Sequence, residues 1–207
     1  MKNADRYRLD DILAEPALMH RIAARILDGA VFVYPTETIY GIGGRCDSEA
    51  VRKRIIAVKQ RVPGTPMILL AARRSGFSTI PLVFPEAAGK LAEAFWPGKL
   101  TLVLPSQDGT TYTAIRVTDH PFITALASYF DIPLFSTSAN LSSEPYDGDP
   151  ERIRLLFEGR VDFIVDAGEL PVSPPSTVVK VTIENKVEVV REGVVGKGLI
   201  LSKLGVV

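Results

Sequence analysis

Short apolar runs typical of β-strands alternate with amphipathic segments typical of α-helices along most of this chain. Within residues 15–28, Leu18, Ile22 and Ile26 recur at helical spacing. The β-rich run 30–34 follows almost directly. Alternating helices and strands favour an α/β layer arrangement, and the strands cluster towards the end of the chain. The pattern therefore predicts a single α/β domain with a twisted mixed β-sheet and flanking helices.

Capping and turn residues set the limits of the other predicted elements. Asp47 or Ser48 is expected to cap the second helix, which should end near residues 59–61, before Pro63. A polar turn is expected at 136–140, directly after a strand. Further helices are predicted at 85–95 and from His120 and Asp149 onwards, and strands at 67–71, 100–104, 114–117, 132–135, 163–165, 177–181 and 187–190.

Composition limits the class of protein. The chain has 207 residues, 46% hydrophobic and 23% charged, which are values of a globular protein with one domain or at most two small ones. Its formal net charge is zero, so nucleic-acid binding would need a local basic patch. The single cysteine, Cys46, excludes an intrachain disulfide and favours a cytoplasmic protein. No signal peptide is recognisable, and no apolar run of about 20 residues predicts a membrane span.

Two cations stand at the predicted end of the second helix. Lys59 and Arg61 have a structural explanation, since cations near a helix C-terminus interact favourably with its dipole, by about 0.3–1 kcal/mol. They also have a functional one, because a lysine and an arginine together can clamp phosphates. Both readings stay open on the residues alone.

Ser138 and Asn140 follow a β-rich run. As turn residues, both side chains would bond to nearby backbone groups. As ligand-binding residues, they would lie at a strand end, where α/β sheets present side chains to a crevice. The spacing allows either interpretation.

Three further polar positions adjoin predicted strands. Arg116 interrupts the apolar run 114–117, so it either faces solvent or meets a carboxylate, because an unpaired buried charge is costly. Ser176 directly precedes a strand, a position that turn chemistry also explains. Arg191 closes a strand and is also compatible with an exposed strand end.

The stretch VYPTETIYG, residues 33–41, begins as a strand and is expected to end in a turn at Gly41. Thr36, Glu37 and Tyr40 give it more polar groups than a plain strand-to-helix connection needs. Glu37 is either solvated or paired with a nearby cation. The sequence lacks a P-loop, a dinucleotide-binding glycine motif and a defensible Ser-His-Asp pattern.

Taken in order, these motifs resemble the YrdC-type threonylcarbamoyl-AMP synthase family. The likeness runs from about Ile22 to Gly193, nearly the whole chain. Its departure from the family pattern is the loop 43–47, so no function is carried over to Cys46. The motifs that carry the likeness are VYPTETIYG, AVKQR followed by PMILL, WPGKLTLVL, AIRV with DHP, STSANLSSEP, and PSTVV followed by REG.

The resemblance implies eight site residues. A catalytic tetrad, which some YrdC-like relatives without clear synthase activity lack, is intact in this chain. The tetrad is Lys59, Arg61, Ser138 and Asn140. The implied ATP-binding residues are Lys59, Arg61, Asn140 and Arg191, and the implied threonine-binding residues are Thr36, Arg116, Ser138 and Ser176.

The resemblance also implies the reaction and its setting. L-threonine, bicarbonate and ATP would give threonylcarbamoyl-adenylate and pyrophosphate, with Mg²⁺ held mainly through ATP and no metal site in the protein. The product would pass to a separate transferase that modifies an adenosine of tRNA, and weak tRNA or RNA binding is a further expectation. The expected organisation is one YrdC-like domain over 1–207, with its core at about 15–195, in the short form without an added C-terminal domain.

Three other functions share parts of this pattern. A carbamoyl-adenylate-forming domain of the HypF kind would belong to a much longer, cysteine-rich chain. A non-enzymatic YrdC-like RNA-binding module would need a local basic patch and would show salt-dependent affinity for tRNA. A YrdC-like hydrolase or scaffold would lack synthase activity.

Overall fold

Ten strands form one continuous sheet in the computed structural model, which describes residues 4–142, 144–146 and 148–205. Their spatial order is β1-β8-β2-β3-β7-β4-β6-β5-β9-β10. Parallel pairs, such as β4 with β6, lie beside antiparallel pairs, such as β4 with β7. The predicted mixed sheet is therefore confirmed. The strands are β1 Asp5–Arg8, β2 Phe32–Tyr34, β3 Gly41–Arg45, β4 Ile68–Ala71, β5 Leu100–Pro105, β6 Tyr112–Val117, β7 Leu134–Ser138, β8 Phe163–Asp166, β9 Thr177–Val181 and β10 Val187–Arg191.

Three helices begin at residues whose side chains cap them. Ser48 accepts a hydrogen bond from the backbone N–H of Val51, at 3.3 Å, and Asp149 caps a later helix through Oδ1. His120 caps the helix that Pro121 opens. The helices are α1 Leu9–Ala14, α2 Pro16–Leu27, α3 Glu49–Val58, α4 Glu86–Phe95, α5 Pro121–Leu126, α6 Pro150–Phe157 and α7 Lys197–Lys203, with a short 3₁₀ helix at Arg74–Phe77.

Helices cover the sheet in three apolar clusters. α1, α2 and α5 pack on one face around β2, Leu70 and Leu134. α4 and α7 cover the opposite side of β4, β5, β6 and β9, while α3 and α6 pack against Ile42 and Ile164. Side chains alternate between the two faces of a strand. The residues paired directly with Leu70 on neighbouring strands therefore lie on the same face of the sheet as Leu70. That face, beyond the reach of the first cluster, is where the polar residues lie.

Several elements differ from the prediction. β7 was expected at 132–135 with a polar turn after it, but it runs over Leu134–Ser138. The expected turn at Gly41 is the first residue of a strand, β3. Its sequence, GIGGR, is poor in the residues that favour strands, so intrinsic propensity gave no signal for it. β1, α1 and α7 were also missed.

Membrane-spanning helices and domain limits concern the chain at a larger scale. Among the described residues, no helix is long and apolar enough to cross a membrane. The domain limits given above stay a prediction.

Candidate active site

A cavity of about 230 Å³ opens on the face of the sheet that carries Leu70 and Arg116. Strand register explains its position. Leu134 pairs with Leu70, and both are covered by the first cluster of helices. Two residues further along the same pair of strands, Ser136 pairs with Ile68, and both line the cavity. On this face of the sheet, residues two positions apart on the same strand thus belong to the hydrophobic core and to the cavity lining.

Six of the eight predicted site residues line this cavity. They are Thr36, Arg61, Arg116, Ser138, Ser176 and Arg191. Lys59 and Asn140 do not line it, although both are hydrogen-bonded to Ser138. Sequence reasoning missed other lining residues, of which Thr38, Ile68 and Ser136 bear on the argument below. Ser136 was placed in a turn, and only its position in β7 reveals which way its side chain points.

The Lys-x-Arg spacing is produced by the end of α3. Lys59 is the C-cap residue, and Gln60 takes a left-handed conformation with φ 52°. The N–H of Gln60 donates to the carbonyl of Ala57 at 3.1 Å, and that of Arg61 to the carbonyl of Ile56 at 2.9 Å. This pair of bonds is the Schellman arrangement. This turn places Lys59 beneath the cavity and Arg61 in its lining.

Lys59 is buried, with 2% of its surface exposed. Its Nζ donates to the carbonyl oxygen of Ser138 and, at 3.2 Å, to Oδ1 of Asn140. Ser138 Oγ donates to the same Oδ1 at 2.5 Å. No carboxylate within the described residues pairs with this ammonium. Burial, with a smaller contribution from Arg61, therefore lowers the pKa of Lys59 to about 8.

Stability should consequently depend on pH through Lys59. Its pKa is about 8 when folded and 10.5 in its ordinary environment, so the unfolded chain binds this proton more tightly. The buried charge opposes folding below pH 8, and that opposition, about 3 kcal/mol, disappears as pH rises from 8 to 10.5. Urea unfolding at pH 7 and pH 10 should show wild type gaining on Lys59→Met at the higher pH. A stability difference that stays constant with pH would contradict this.

Arg116 is buried and paired with Glu37. The Glu37 carboxylate is therefore the partner of a cation and is not simply solvated. Arg116 Nη2 lies 2.6 Å from Oε1 of Glu37, and Thr118 Oγ1 donates to the other carboxylate oxygen at 2.7 Å. Arg116 Nε donates to the carbonyl of Gly98 at 2.8 Å. The Nη2–Oε1 contact is close but misaligned, so within the described part of the chain neither atom has a hydrogen-bond partner. Arg116 lines the cavity, while its Nη2 is buried against Glu37.

The hydroxyl of Thr36 holds its own loop together. Thr36 Oγ1 donates to the carbonyl of Ile39 at 2.6 Å and accepts from the backbone N–H groups of Thr38 and Ile39, each at 3.2 Å. Thr38 Oγ1 lies 3.1 Å from it and, at 3.5 Å, accepts from Arg116 Nη1. The polar residues of the PTET segment thus build a rigid wall beside Arg116.

At the other end of the cavity, Arg191 lies against Ser176. Its Nη2 donates to the carbonyl of Ser176 at 2.8 Å, and Ser176 Oγ is 2.9 Å from Oγ1 of Thr101. Gly193 is required here, because a Cβ at this position would lie 2.0 Å from the carbonyl oxygen of Pro175. The glycine brings the two segments into contact.

The site is strongly cationic although the whole chain is neutral. Burial lowers the pKa of Arg61, and burial together with the nearby charge of Arg116 lowers that of Arg191. Within the described residues, Arg116 has a carboxylate partner while Lys59, Arg61 and Arg191 have none. Such a surface favours a polyanion, since each phosphate oxygen would supply a missing partner.

The protein itself offers little to a metal ion. No group of three potential His, Cys, Asp or Glu ligands occurs among residues 4–142, 144–146 and 148–205. Glu37 is engaged by Arg116 and Thr118.

Comparison with known proteins identifies the family. The Sua5_yciO_yrdC family model, described as telomere recombination, matches residues 24–193. The chain belongs to this family. All eight candidate site residues fall within the matched part.

Individual Sua5/YciO/YrdC proteins agree with this assignment. The threonylcarbamoyl-AMP synthase of Pyrococcus abyssi is 33% identical over 171 residues, which cover 78% of this chain and 50% of that protein. The chain thus spans about half the length of this relative.

Solved structures of the family have the same fold. P. abyssi Sua5 complexed with L-threonine superimposes with a TM-score of 0.84 at 29% identity, covering 100% of this chain and 62% of that one. E. coli YciO gives a TM-score of 0.82 at 27% identity, covering 97% of this chain and 100% of that one. The expected YrdC-like fold is confirmed.

Proposed function

We propose that this protein is an L-threonylcarbamoyladenylate synthase, which forms threonylcarbamoyl-AMP and pyrophosphate from L-threonine, bicarbonate and ATP. The observation that carries the proposal is the cavity itself, which joins unpaired cations to a row of hydroxyl groups on one face of the sheet. The membership of the family and the threonine-bound relative support it. The enzyme class is that of a nucleotidyltransferase.

The chemistry needs positioning and charge neutralisation. The threonine amine adds to bicarbonate, giving N-carboxy-threonine and water. An oxygen of the new carboxylate then forms a bond to the α-phosphorus of ATP, and the bond between that phosphorus and the α,β-bridging oxygen breaks, which releases pyrophosphate. Negative charge accumulates on phosphate oxygens, where fixed cations stabilise it. No covalent intermediate on the protein is needed.

The ATP half is assigned to Lys59, Arg61, Asn140 and Arg191. Arg61 and Arg191 line the cavity without carboxylate partners, so their guanidinium groups are available to phosphates. Lys59 lies directly behind, bonded to two neutral acceptors. A phosphate oxygen is a stronger acceptor for an ammonium than either of them, so ATP would draw Lys59 towards the cavity.

The threonine half is assigned to Thr36, Arg116, Ser138 and Ser176. Arg116 would take the carboxylate through Nη1, because Nε is already used by Gly98 and Nη2 is buried against Glu37. Thr36 has its hydroxyl committed within the loop, so it would act by holding the loop in shape beside the amino acid. Ser138 would join the two halves of the site.

Mg²⁺ would be held mainly by ATP and would help neutralise the phosphates. Arg61 and Arg191 would share that task, since the described residues provide no carboxylate cluster for the ion. The product would go to a separate transferase for threonylcarbamoyladenosine formation in tRNA. Cytoplasmic location and weak RNA binding remain predictions.

A direct assay tests this function. Purified protein is incubated with ATP, Mg²⁺, bicarbonate and single amino acids, and pyrophosphate is followed. We expect release that depends on both threonine and bicarbonate. Release with neither dependence would point to a hydrolase. No release, combined with salt-dependent binding of tRNA, would instead support the non-enzymatic RNA-binding module.

A further inference from the structure

The hydroxyl groups around the cavity differ in whether their protons are free to form a hydrogen bond with a ligand. Thr36 donates its hydroxyl proton to the carbonyl of Ile39. Thr38 must therefore donate to Thr36, since one of these two hydroxyls is the donor of their shared bond. Ser138 donates to Asn140. Tyr40 donates its hydroxyl proton to the carbonyl of Gly168. These protons are unavailable to a substrate.

Ser136 is different. Its Oγ accepts a hydrogen bond of 2.8 Å from the hydroxyl of Tyr34, and it donates to no other group in the described part of the chain. Tyr34 is fully buried, and burial raises its pKa, so it keeps its proton and remains the donor. Accepting one bond polarises the Ser136 O–H and makes it a better donor. Ser136 lines the cavity with one proton and one lone pair unused.

Two glycines of β3 keep this arrangement open. A Cβ on Gly43 would lie 2.9 Å from Cε1 of Tyr34, so only glycine leaves room for the ring that reaches across to Ser136. A Cβ on Gly41 would lie 3.4 Å from Ser136 Oγ and would cover it on the cavity side. The glycine-rich strand that sequence propensity failed to predict therefore has a steric purpose in the site.

Ile68 stands beside Ser136 on the same face. The two residues are directly paired between β4 and β7, and both line the cavity. Directly paired side chains of neighbouring strands lie about 5 Å apart at their Cβ atoms. The cavity thus presents an apolar surface and a hydroxyl side by side, which match the methyl and hydroxyl groups that share the β-carbon of threonine.

Other hydroxyls are less suitable. Thr137 also lines the cavity, but it pairs with Ile42 and not with Ile68, and its Oγ1 accepts from Arg61, which is assigned to ATP. Ser176 shares a hydrogen bond with Thr101 and accepts another from Arg191, so its hydroxyl is already engaged by two neighbours. Ser136 is the hydroxyl that adjoins an apolar wall while its proton is uncommitted.

We infer that Ser136 and Ile68 together read the threonine side chain, Ser136 by hydrogen-bonding the hydroxyl and Ile68 by packing against the methyl. The inference rests on the proposed function and adds to it the origin of amino-acid selectivity. Tyr34 is a positioning residue that acts through Ser136. L-2-aminobutyrate, which lacks the hydroxyl, and L-serine, which lacks the methyl, would each lose one contact.

The test compares kcat/KM for these three amino acids in pyrophosphate release. Ser136→Ala should reduce the preference for threonine over 2-aminobutyrate by at least about 100-fold, because a site that pairs a substrate hydroxyl rejects analogues lacking it. Ile68→Ala should reduce the preference for threonine over serine by about 10-fold, as expected for one methyl contact. Each variant should leave the other ratio nearly unchanged, whereas general damage to the fold would lower all rates alike.

Ser136→Ala leaves the Tyr34 hydroxyl buried without its acceptor, which costs stability. The double variant Tyr34→Phe with Ser136→Ala removes both polar groups and should show the same loss of selectivity. Full preference for threonine over 2-aminobutyrate in both variants would overturn the Ser136 assignment while leaving the proposed function in place.

Binding measurements separate the two hypotheses further. Calorimetric titration of the wild type with threonine and 2-aminobutyrate reports the same selectivity without turnover. Suppose that the wild type binds threonine selectively, that Ser136→Ala does not, and that no pyrophosphate is released. This result would overturn the proposed function and support the assignment of Ser136. Equal affinity of the wild type for both amino acids would overturn the assignment of Ser136, whether or not pyrophosphate is released.

Discussion

Lys59→Met should lower the rate of threonine-dependent pyrophosphate release by about 10²–10³-fold, the usual effect of removing one group that stabilises transition-state charge. Lys59 is the most buried of the unpaired cations, and it holds Ser138 and Asn140 in place. Methionine fills a similar volume, and it removes a charge that has no carboxylate partner. The variant should therefore stay folded while it loses activity.

Lys53→Met is the matched control. Lys53 is on the same helix, α3, but its side chain is exposed and lies away from the cavity. The same substitution there should leave the rate unchanged. Full activity of Lys59→Met, with a cooperative unfolding transition like that of the wild type, would remove Lys59 from the phosphate site.

Gly43→Ala should destabilise the protein by about 3 kcal/mol or more, at the upper end of the usual cost of overpacking. A Cβ there would lie 2.2 Å from the carbonyl oxygen of Phe135 and 2.9 Å from Cε1 of Tyr34. The first clash is with backbone of the neighbouring strand β7, so β3 and β7 would have to separate. Thermal unfolding should show a fall in Tm of roughly 6–12 °C for a chain of this length.

Gly89→Ala serves as the control for that substitution. Gly89 lies inside α4, and a Cβ there would meet nothing within 4 Å. Alanine favours helix over glycine, so this change should raise stability by about 0.5–1 kcal/mol. A Tm of Gly43→Ala equal to or above that of the wild type would disprove the steric role of Gly43.

Features that depend on neighbouring residues in the chain were predictable. The cap of α3 at Ser48, the start of α6 after Asp149 and the helical face of α2 follow from local hydrogen bonding and periodicity. Strand β3 was missed, because its glycines have low strand propensity, and Gly43 leaves space for the ring of Tyr34 while Gly44 leaves space for Val51 and Ala30. β7 was cut short because its Ser-Thr-Ser end reads as a turn when its partners are unknown.

The alternatives for Arg116 and Glu37 show the same limit. Their residue types allowed either a solvated or a paired state, and the two lie on elements far apart in the chain. The fold places Arg116 Nη2 at 2.6 Å from Glu37 Oε1, with Thr118 as a second partner of the carboxylate. Burial then makes pairing necessary, because neither charge could be left alone at that depth.

The sequence by itself determined the α/β class, most helices and strands, and the ordered motifs that contain all eight candidate site residues. Only the tertiary structure decided which of these residues meet. It placed Lys59 beneath the cavity instead of in it, and it brought Ser136 to the surface beside Ile68. The physical reason is that periodicity and capping are local, whereas burial, pairing and the direction of a strand side chain depend on register between distant strands.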